Sequence, residues 1–399
     1  MSFRIIGREG VLLAVANSIT GIIWGANSVV LSIYMLNTGM KPAIIGAVLG
    51  VFSLMNALGS LITGYLSDFT NKLNLFTAFS LASGSLILLL MTGLPPVIAV
   101  AYSLMALLNR NVISIAIVGE YAKRRGVSSE FFSLSSSLSV VFSAIGSSIA
   151  VLPSYMGRIG YDLVFIIEAL SVYLSIPIML KVVKRIGINM SEVKISGVSL
   201  RELRELKSSW LLKRLLPESL IGLGAGVIIP LFSLWFYLKF HVSLSNLGIV
   251  YAASNATLAL GTLTAPVVSR VLKSRVTSVI LLEGSATGIL ALMPIIVNLP
   301  ALLLLFIVRN TLMNMANPLL TSLINDLVPG EERGRVFGVW NMISSIPRAL
   351  GPGIGGYLID SGYLDLPLYI TSLLYAIAVI LFYVLLKDVE KMSKVTAVR

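Results

Sequence analysis

Twelve stretches of mostly apolar residues run through this 399-residue chain. Each reaches the roughly 20 residues that a helix needs to cross about 30 Å of hydrocarbon. They fall at 10–36, 43–67, 74–93, 95–119, 130–153, 163–183, 214–238, 245–267, 276–297, 299–323, 334–358 and 366–386. Hydrocarbon offers no partner for a backbone N–H or C=O, so segments of this kind are expected as helices. The chain is 56% hydrophobic and 12% charged, too little charge to wet the surface of a soluble domain of this length. The first span follows Arg4 and Arg8 as a signal peptide would. It is too long for one and lacks a small-residue cleavage site, so it is expected to stay in the protein.

Several chemistries are excluded at once. The chain has no cysteine and one histidine, His241, which falls in an expected turn, so neither thiolate chemistry nor a metal site is expected. No Gly-rich phosphate loop of the Walker kind is present, and no cofactor is called for. No span holds a nucleophile–base set, which argues against an enzyme. The formal net charge of +12 would point a soluble protein towards nucleic acid. Here 24 of the 30 lysines and arginines lie in one alternate set of loops and the two termini, three lie in the other set and three within spans. Basic loops mark the cytoplasmic side, so both termini are expected inside. The positive charge then belongs to topology and anionic membrane lipid, without nucleic acid as a partner.

The longest polar stretch, 184–213, divides the chain into a six-helix bundle at 1–183 and another, with a cytoplasmic tail, at 214–399. Within the linker, Ser199-Leu200-Arg201-Glu202 reads as a capping box opening a short amphipathic helix with Leu200, Leu203 and Leu206 on one side. Shifting the sequence by 202 places Ala57-Leu58-Gly59-Ser60-Leu61 on Ala259-Leu260-Gly261-Thr262-Leu263, and Gly160-Tyr161 on Gly362-Tyr363. A shift of 199 places Arg110-Asn111 on Arg309-Asn310. Six spans per half is even, so the repeats run parallel, an arrangement that puts a substrate site between halves and alternates access by rocking.

The second span ends Gly64-Tyr65-Leu66-Ser67-Asp68-Phe69-Thr70-Asn71-Lys72. This resembles the loop 2–3 signature of the major facilitator superfamily, Gly-x-Leu-(Ala/Ser)-Asp followed by basic residues, with Phe69 and Asn71 departing from it. Gly64 permits close helix approach, and Asp68 is an anion at the negative end of its helix dipole, in want of a cation. The resemblance implies that Arg333 or Arg335, before the eleventh span, latches to Asp68, with Gly64 and Lys72 completing the gate. Pro329-Gly330-Glu331-Glu332-Arg333-Gly334 and Gly351-Pro352-Gly353-Ile354-Gly355-Gly356 resemble the family's eleventh helix. Gly146-Ser147-Ser148 stands where the drug/proton antiporter branch carries Gly-Pro-x-x-Gly-Gly in its fifth helix.

An ionised side chain at mid-helix costs at least ~2.5 kcal/mol on insertion scales, so those within spans are candidate functional groups: Arg110, Arg309, Arg348, Glu168, Glu218 and Glu283. The resemblance implies that helices 1, 4, 7 and 10 line the cavity. It places Arg110 and Arg309 there, with Asn109, Asn111, Asn310, Asn314 and Asn317 around them, and helix 1 offers Asn17, Asn27 and Trp24 for hydrogen bonding and stacking. Arg110 also resembles the fourth-helix arginine of proton-coupled antiporters. Glu218 and Glu283 are candidate proton carriers beside Arg110, whereas Glu168 is expected nearer the outer face and solvated. The expectation is a monomeric secondary active transporter of the cell membrane, proton-coupled and efflux-like, binding a small-molecule substrate. Uptake of an organic anion or a sugar-like solute is the alternative, and a non-transporting receptor the remote one.

Overall fold

The computed structural model describes residues 2–187, 208–329 and 332–389, apart from the side chains of residues 2–5, 68 and 129. The expected capping box at Ser199–Glu202 and its leucine stripe lie outside the described residues. Among the described residues the secondary structure is helical throughout, with no strand. Eleven helices are long and apolar enough to cross a membrane. They are α1 (Ile6–Asn37), α2 (Pro42–Ser67), α3 (Lys72–Thr92), α4 (Pro95–Arg125), α5 (Glu130–Met156) and α6 (Arg158–Ile186). The later ones are α7 (Glu218–Phe240), α8 (Leu244–Val271), α9 (Arg275–Ile295), α10 (Leu299–Leu327) and α12 (Leu366–Leu386).

The remaining expected span is a helix too, α11 (Arg333–Asp360), 28 residues long. At 1.5 Å per residue it reaches about 42 Å, more than the hydrocarbon thickness. It falls short of the others in apolar character because it carries Arg348, two internal prolines (Pro347 and Pro352) and many glycines and serines.

Several helices outrun their apolar stretch. α4 continues past residue 119 to Lys123, Arg124 and Arg125 in its last turn and is capped by Gly126 at φ 66°. Cations there complement the negative helix end, and glycine takes the left-handed C′ conformation without strain. The basic cluster that marks a loop in hydropathy is therefore helical. His241 sits in the turn after α7 with φ 52°, where the sequence placed it.

The chain packs as two compact units. One comprises Met1–Met40, Val51–Gly197 and Phe236–Asn255, the other Lys41–Gly50, Val198–Trp235 and Ala256–Arg399. In the first, Ile6, Leu13, Ile117, Tyr121, Phe131 and Met179 form a buried apolar core, and the Tyr121 hydroxyl donates to the Ile6 carbonyl at 2.7 Å.

Each unit also contains a seam where two helices touch backbone to backbone. In the first unit a side chain on Gly25 of α1 would run into the Ser143 carbonyl of α5, and Ser147 Oγ donates to the Gly25 carbonyl at 3.2 Å. In the second unit a side chain on Gly226 of α7 would run into the Arg348 carbonyl of α11. Gly21 and Gly25 stand 201 residues before Gly222 and Gly226, one residue from the offset of 202 read in the sequence. A close glycine contact is thus present in each unit. With no hydrophobic drive between helices in lipid, close packing at small residues is what associates them.

Candidate solute-binding site

α4 is broken at one point, and the break makes a site. Leu108 and Asn109 have ψ of 63° and 75°, so α4 stops at Leu107 and restarts at Arg110. Asn109 holds the break to α2: its Nδ2 donates to Asn56 Oδ1 at 2.9 Å and to Ser60 Oγ at 2.9 Å. A side-chain amide thus ties the interrupted stretch to its neighbour, where polar groups would otherwise stand without partners.

Arg110, first residue after the break, is 7% exposed. Its Nη1 donates to Ser175 Oγ of α6 at 3.0 Å and to Ser80 Oγ of α3 at 3.3 Å. Its guanidinium stands 5.6 Å from the centre of the Phe76 ring. A cation in this place is held by two hydroxyls and a ring face, without a carboxylate within ion-pair distance among the described residues.

Beside Arg110 lies a small cavity of about 70 Å³, bounded by Trp24, Asn27, Phe52, Asn56, Tyr102 and Asn111 among others. Phe52 and Tyr102 stack with ring centres 4.1 Å apart, and Trp24 meets Phe52 edge-on at 6.3 Å. Trp24 is 55% exposed, so the recess opens along its indole. Asn27 Oδ1 is buried and accepts no hydrogen bond, a costly state for a polar atom unless a ligand supplies the donor. Nearby, Ser114 Oγ donates to Asn17 Oδ1 at 2.6 Å and Asn17 Nδ2 to Ser135 Oγ at 2.9 Å, tying α1, α4 and α5 together. The wall offers ring faces, amides and one guanidinium, a chemistry suited to a flat solute with polar edges.

Arg309, in the second unit, is 2% exposed. Its Nη1 donates to Asn310 Oδ1 at 3.0 Å, and its guanidinium lies 5.9 and 5.7 Å from the ring centres of Phe232 and Tyr375. Nε and Nη2 make no hydrogen bond. Asn314 Nδ2 donates back to the Asn310 carbonyl one turn earlier, at 2.8 Å. Glu218 (7% exposed) and Glu283 (3%) are both buried in this unit. Glu218 lies in the field of Arg348 and Glu283 in that of Glu218, and Glu283 Oε2 accepts no hydrogen bond.

The loop 2–3 motif is only partly visible. A side chain at Gly64 would meet nothing within 4 Å, so close helix approach is not what glycine provides there. The side chain of Asp68 lies outside the described residues. Lys72 is 1% exposed and donates to the Ser67 carbonyl at 2.9 Å, a cation on the negative end of α2. Arg333 Nε donates to the Val328 carbonyl at 3.2 Å, and Arg335 is half-buried. Replacing Lys72 by methionine keeps the stem and removes the ammonium. Loss of a hydrogen bond to a charged group is expected to cost about 1.5–3 kcal/mol, read as a lower Tm in detergent. An unchanged Tm would show that the buried ammonium contributes nothing.

Sequence reasoning picked out Arg110, Trp24, Asn27 and Asn111 but passed over Phe52, Asn56, Tyr102, Ser80 and Ser175. Asn56 carried a signal, a carboxamide inside an apolar span; aromatic residues and serines are too common in such spans to stand out. Glu168, expected to be solvated, is instead fully buried, 0% exposed. The reason is its place on α6: it shares the inward face with Val172 and Ser175, while Leu170 and Leu174 take the exposed one.

Residues 218–398 match the family model described as Major Facilitator Superfamily. Over 94 residues the chain is 31% identical to the quinolone resistance protein NorA of Staphylococcus aureus, a stretch covering 24% of each chain. It therefore spans about a quarter of the length of the curated relatives it matches. Among solved structures, the nucleoside transporter NupG superposes with a TM-score of 0.72 at 14% identity, over 96% of this chain and 99% of that one. A bacterial homologue of the iron transporter ferroportin, in an inward-facing state, gives 0.73 at 14% identity over 94% and 97%. A bacterial homologue of the lysosomal transporter Spinster gives 0.71 at 14% identity over 95% and 96%.

Proposed function

We propose that the chain is a transporter of the Major Facilitator Superfamily, whose model matches residues 218–398, and that it works as a proton-coupled secondary exporter of flat amphipathic solutes. The observation that carries this reading is the recess beside the α4 break, where stacked rings, an unbonded Asn27 carbonyl and Arg110 converge. A flat ring system lies against Trp24 and Phe52, offers a donor to Asn27 and presents an electron-rich edge to Arg110. Quinolones, named for the NorA relative, and nucleosides, named for NupG, both have this outline.

The coupling groups are Glu218 and Glu283. Both acids are buried, where an ionised carboxylate is costly, and Glu283 lies in the field of Glu218, so a proton arriving at one changes the balance at the other and the two act as a pair. In this reading the functional halves are 1–183 and 214–399, joined by a cytoplasmic linker. Asp68 with Arg333 or Arg335 is the latch, and Arg309, Asn310 and Asn314 are the second half's contribution to the solute path. The chain works as a monomer in the cell membrane, both termini inside, its basic loops on anionic lipid.

The test is flux of norfloxacin and of uridine from liposomes containing the full chain, with and without an imposed pH gradient. Gradient-driven flux is expected for at least one of them, with the drive lost in Glu218→Gln and Glu283→Gln while downhill exchange persists. Equal flux with and without the gradient would sink the coupling. No flux of either solute would sink the site.

A further inference from the structure

The first unit holds a second cavity, of about 560 Å³, that shares no lining residue with the recess. Its volume is that of a pocket for a drug-sized molecule. The walls come from helix ends and the turns that join them. Asn37 closes α1, Ser154 lies near the end of α5, Arg158 and Tyr161 begin α6, and Tyr237 and Ser243 flank the turn from α7 to α8. Turns of this kind stand outside the hydrocarbon, so the cavity is reached from water.

Hydrogen bonding around it is one-sided. Asn37 Nδ2 donates to the Tyr161 hydroxyl at 2.9 Å, the Ser245 N–H to Ser154 Oγ at 2.8 Å, and the Asn246 N–H to Ser243 Oγ at 3.3 Å. A hydroxyl has one hydrogen to give, and none of these three gives it to a described residue. The half-buried Tyr237 hydroxyl makes no hydrogen bond among the described residues. Apart from Asn37 Oδ1, the polar side chains of the wall therefore face the cavity with hydrogens to donate and oxygens already engaged.

Arg158 adds a cation to that set. Its guanidinium stands 5.9 Å from the centre of the Tyr34 ring, and its Nη2 donates to the Met91 carbonyl. Its Nε is 3.5 Å from Asp162 Oδ1, with the Arg158 side chain 52% exposed. That carboxylate oxygen makes no hydrogen bond, so the pair is loose and offsets the positive charge only in part. Donors and a partly free guanidinium on one cavity favour an oxyanion over a cation or an uncharged donor.

We propose that this cavity is a second binding site, for a small organic anion: a carboxylate on a flat apolar body. The carboxylate is met by Arg158 and by hydroxyl hydrogens of the wall, and the body lies against Pro153 and Leu244, which also line the cavity. The recess takes no part in this site, so the proposal does not depend on the exporter reading.

The test is calorimetric titration of the full chain, in discs of phosphatidylcholine, with 2-naphthoate and with its uncharged counterpart 2-naphthamide; empty discs are the blank. Naphthoate is expected to bind once per chain and about tenfold more tightly than naphthamide, because only the carboxylate draws charge-assisted hydrogen bonds. Tyr237→Phe should weaken naphthoate about tenfold. That substitution removes a hydroxyl with no partner in the protein, so it leaves folding intact and keeps the test decisive. Arg158→Gln should weaken naphthoate roughly tenfold to a hundredfold, whereas Arg110→Gln, which alters the recess, should leave its affinity unchanged.

Absence of saturable naphthoate binding overturns the proposal. Equal affinity for naphthamide overturns it too, since the cavity would then select an apolar body alone. So does an affinity untouched by both Tyr237→Phe and Arg158→Gln, and a loss in Arg110→Gln alone would put the anion in the recess. Phosphatidylglycerol added to the discs is expected not to displace naphthoate; displacement would make the occupant a lipid headgroup and sink the dissolved anion. None of these readings needs transport, so a failed norfloxacin or uridine flux counts against the exporter reading without touching this one.

Discussion

Leucine in place of Gly226 is expected to leave no folded protein. In the present packing its first side-chain atom would overlap the Arg348 carbonyl, and Gly351 on the facing helix already lies against the Gly226 backbone. Ordinary overpacking costs about 1–3 kcal/mol because side chains can move aside. Here the obstacle is backbone on both sides, so α7 and α11 must separate along the seam, and Gly222 and Gly355 lose their contacts with Ser344 and Val227 together. Size-exclusion in detergent and a thermal scan should show aggregate in place of a single cooperative species. The same substitution at Gly288, where a side chain meets nothing within 4 Å, is the control and should be tolerated. A Gly226→Leu protein that unfolds at the parent temperature would contradict the seam.

The second large effect is expected at Arg110. Arg110→Gln removes the one cation among the residues that line the recess and leaves the hydroxyls of Ser80 and Ser175 without their donor. A charge-assisted hydrogen bond to a solute is worth about 1.5–3 kcal/mol, so solute affinity should fall roughly tenfold to a hundredfold. Arg110→Lys is expected not to restore it. An ammonium is a point charge that cannot reach serines on two different helices while presenting a second edge to the recess. Quenching of Trp24 fluorescence by norfloxacin measures the affinity, with Trp24→Phe as the blank. Full binding by Arg110→Lys would mean that charge alone matters, and full binding by Arg110→Gln would place the solute elsewhere.

Much of the architecture was legible because lipid simplifies the physics. A chain that cannot leave backbone groups unbonded in hydrocarbon turns every long apolar stretch into a helix, which is why each of the twelve stretches is helical among the described residues. α11 was the marginal case, since Arg348 and its prolines lower its apolar character without preventing a 28-residue helix. The resemblance to the Major Facilitator Superfamily was carried by Gly64 to Lys72 and by the α11 glycines, and the family model matches residues 218–398. The physical role first given to Gly64 was not legible, because no neighbour crowds it.

What the sequence by itself determined was the number and approximate place of the apolar helices and the rule that any ion within them is there for a reason. Those follow from desolvation, a property of each residue and its near neighbours in the chain. Only the tertiary structure decided which way those ions face. It turned Glu168 inward to full burial, set Arg309 against Phe232 and Tyr375, and gave Arg110 two serines from positions 30 and 65 residues away. A helix of 3.6 residues per turn fixes the spacing of a face but not the partner it meets, and that partner is chosen by packing between segments distant in sequence.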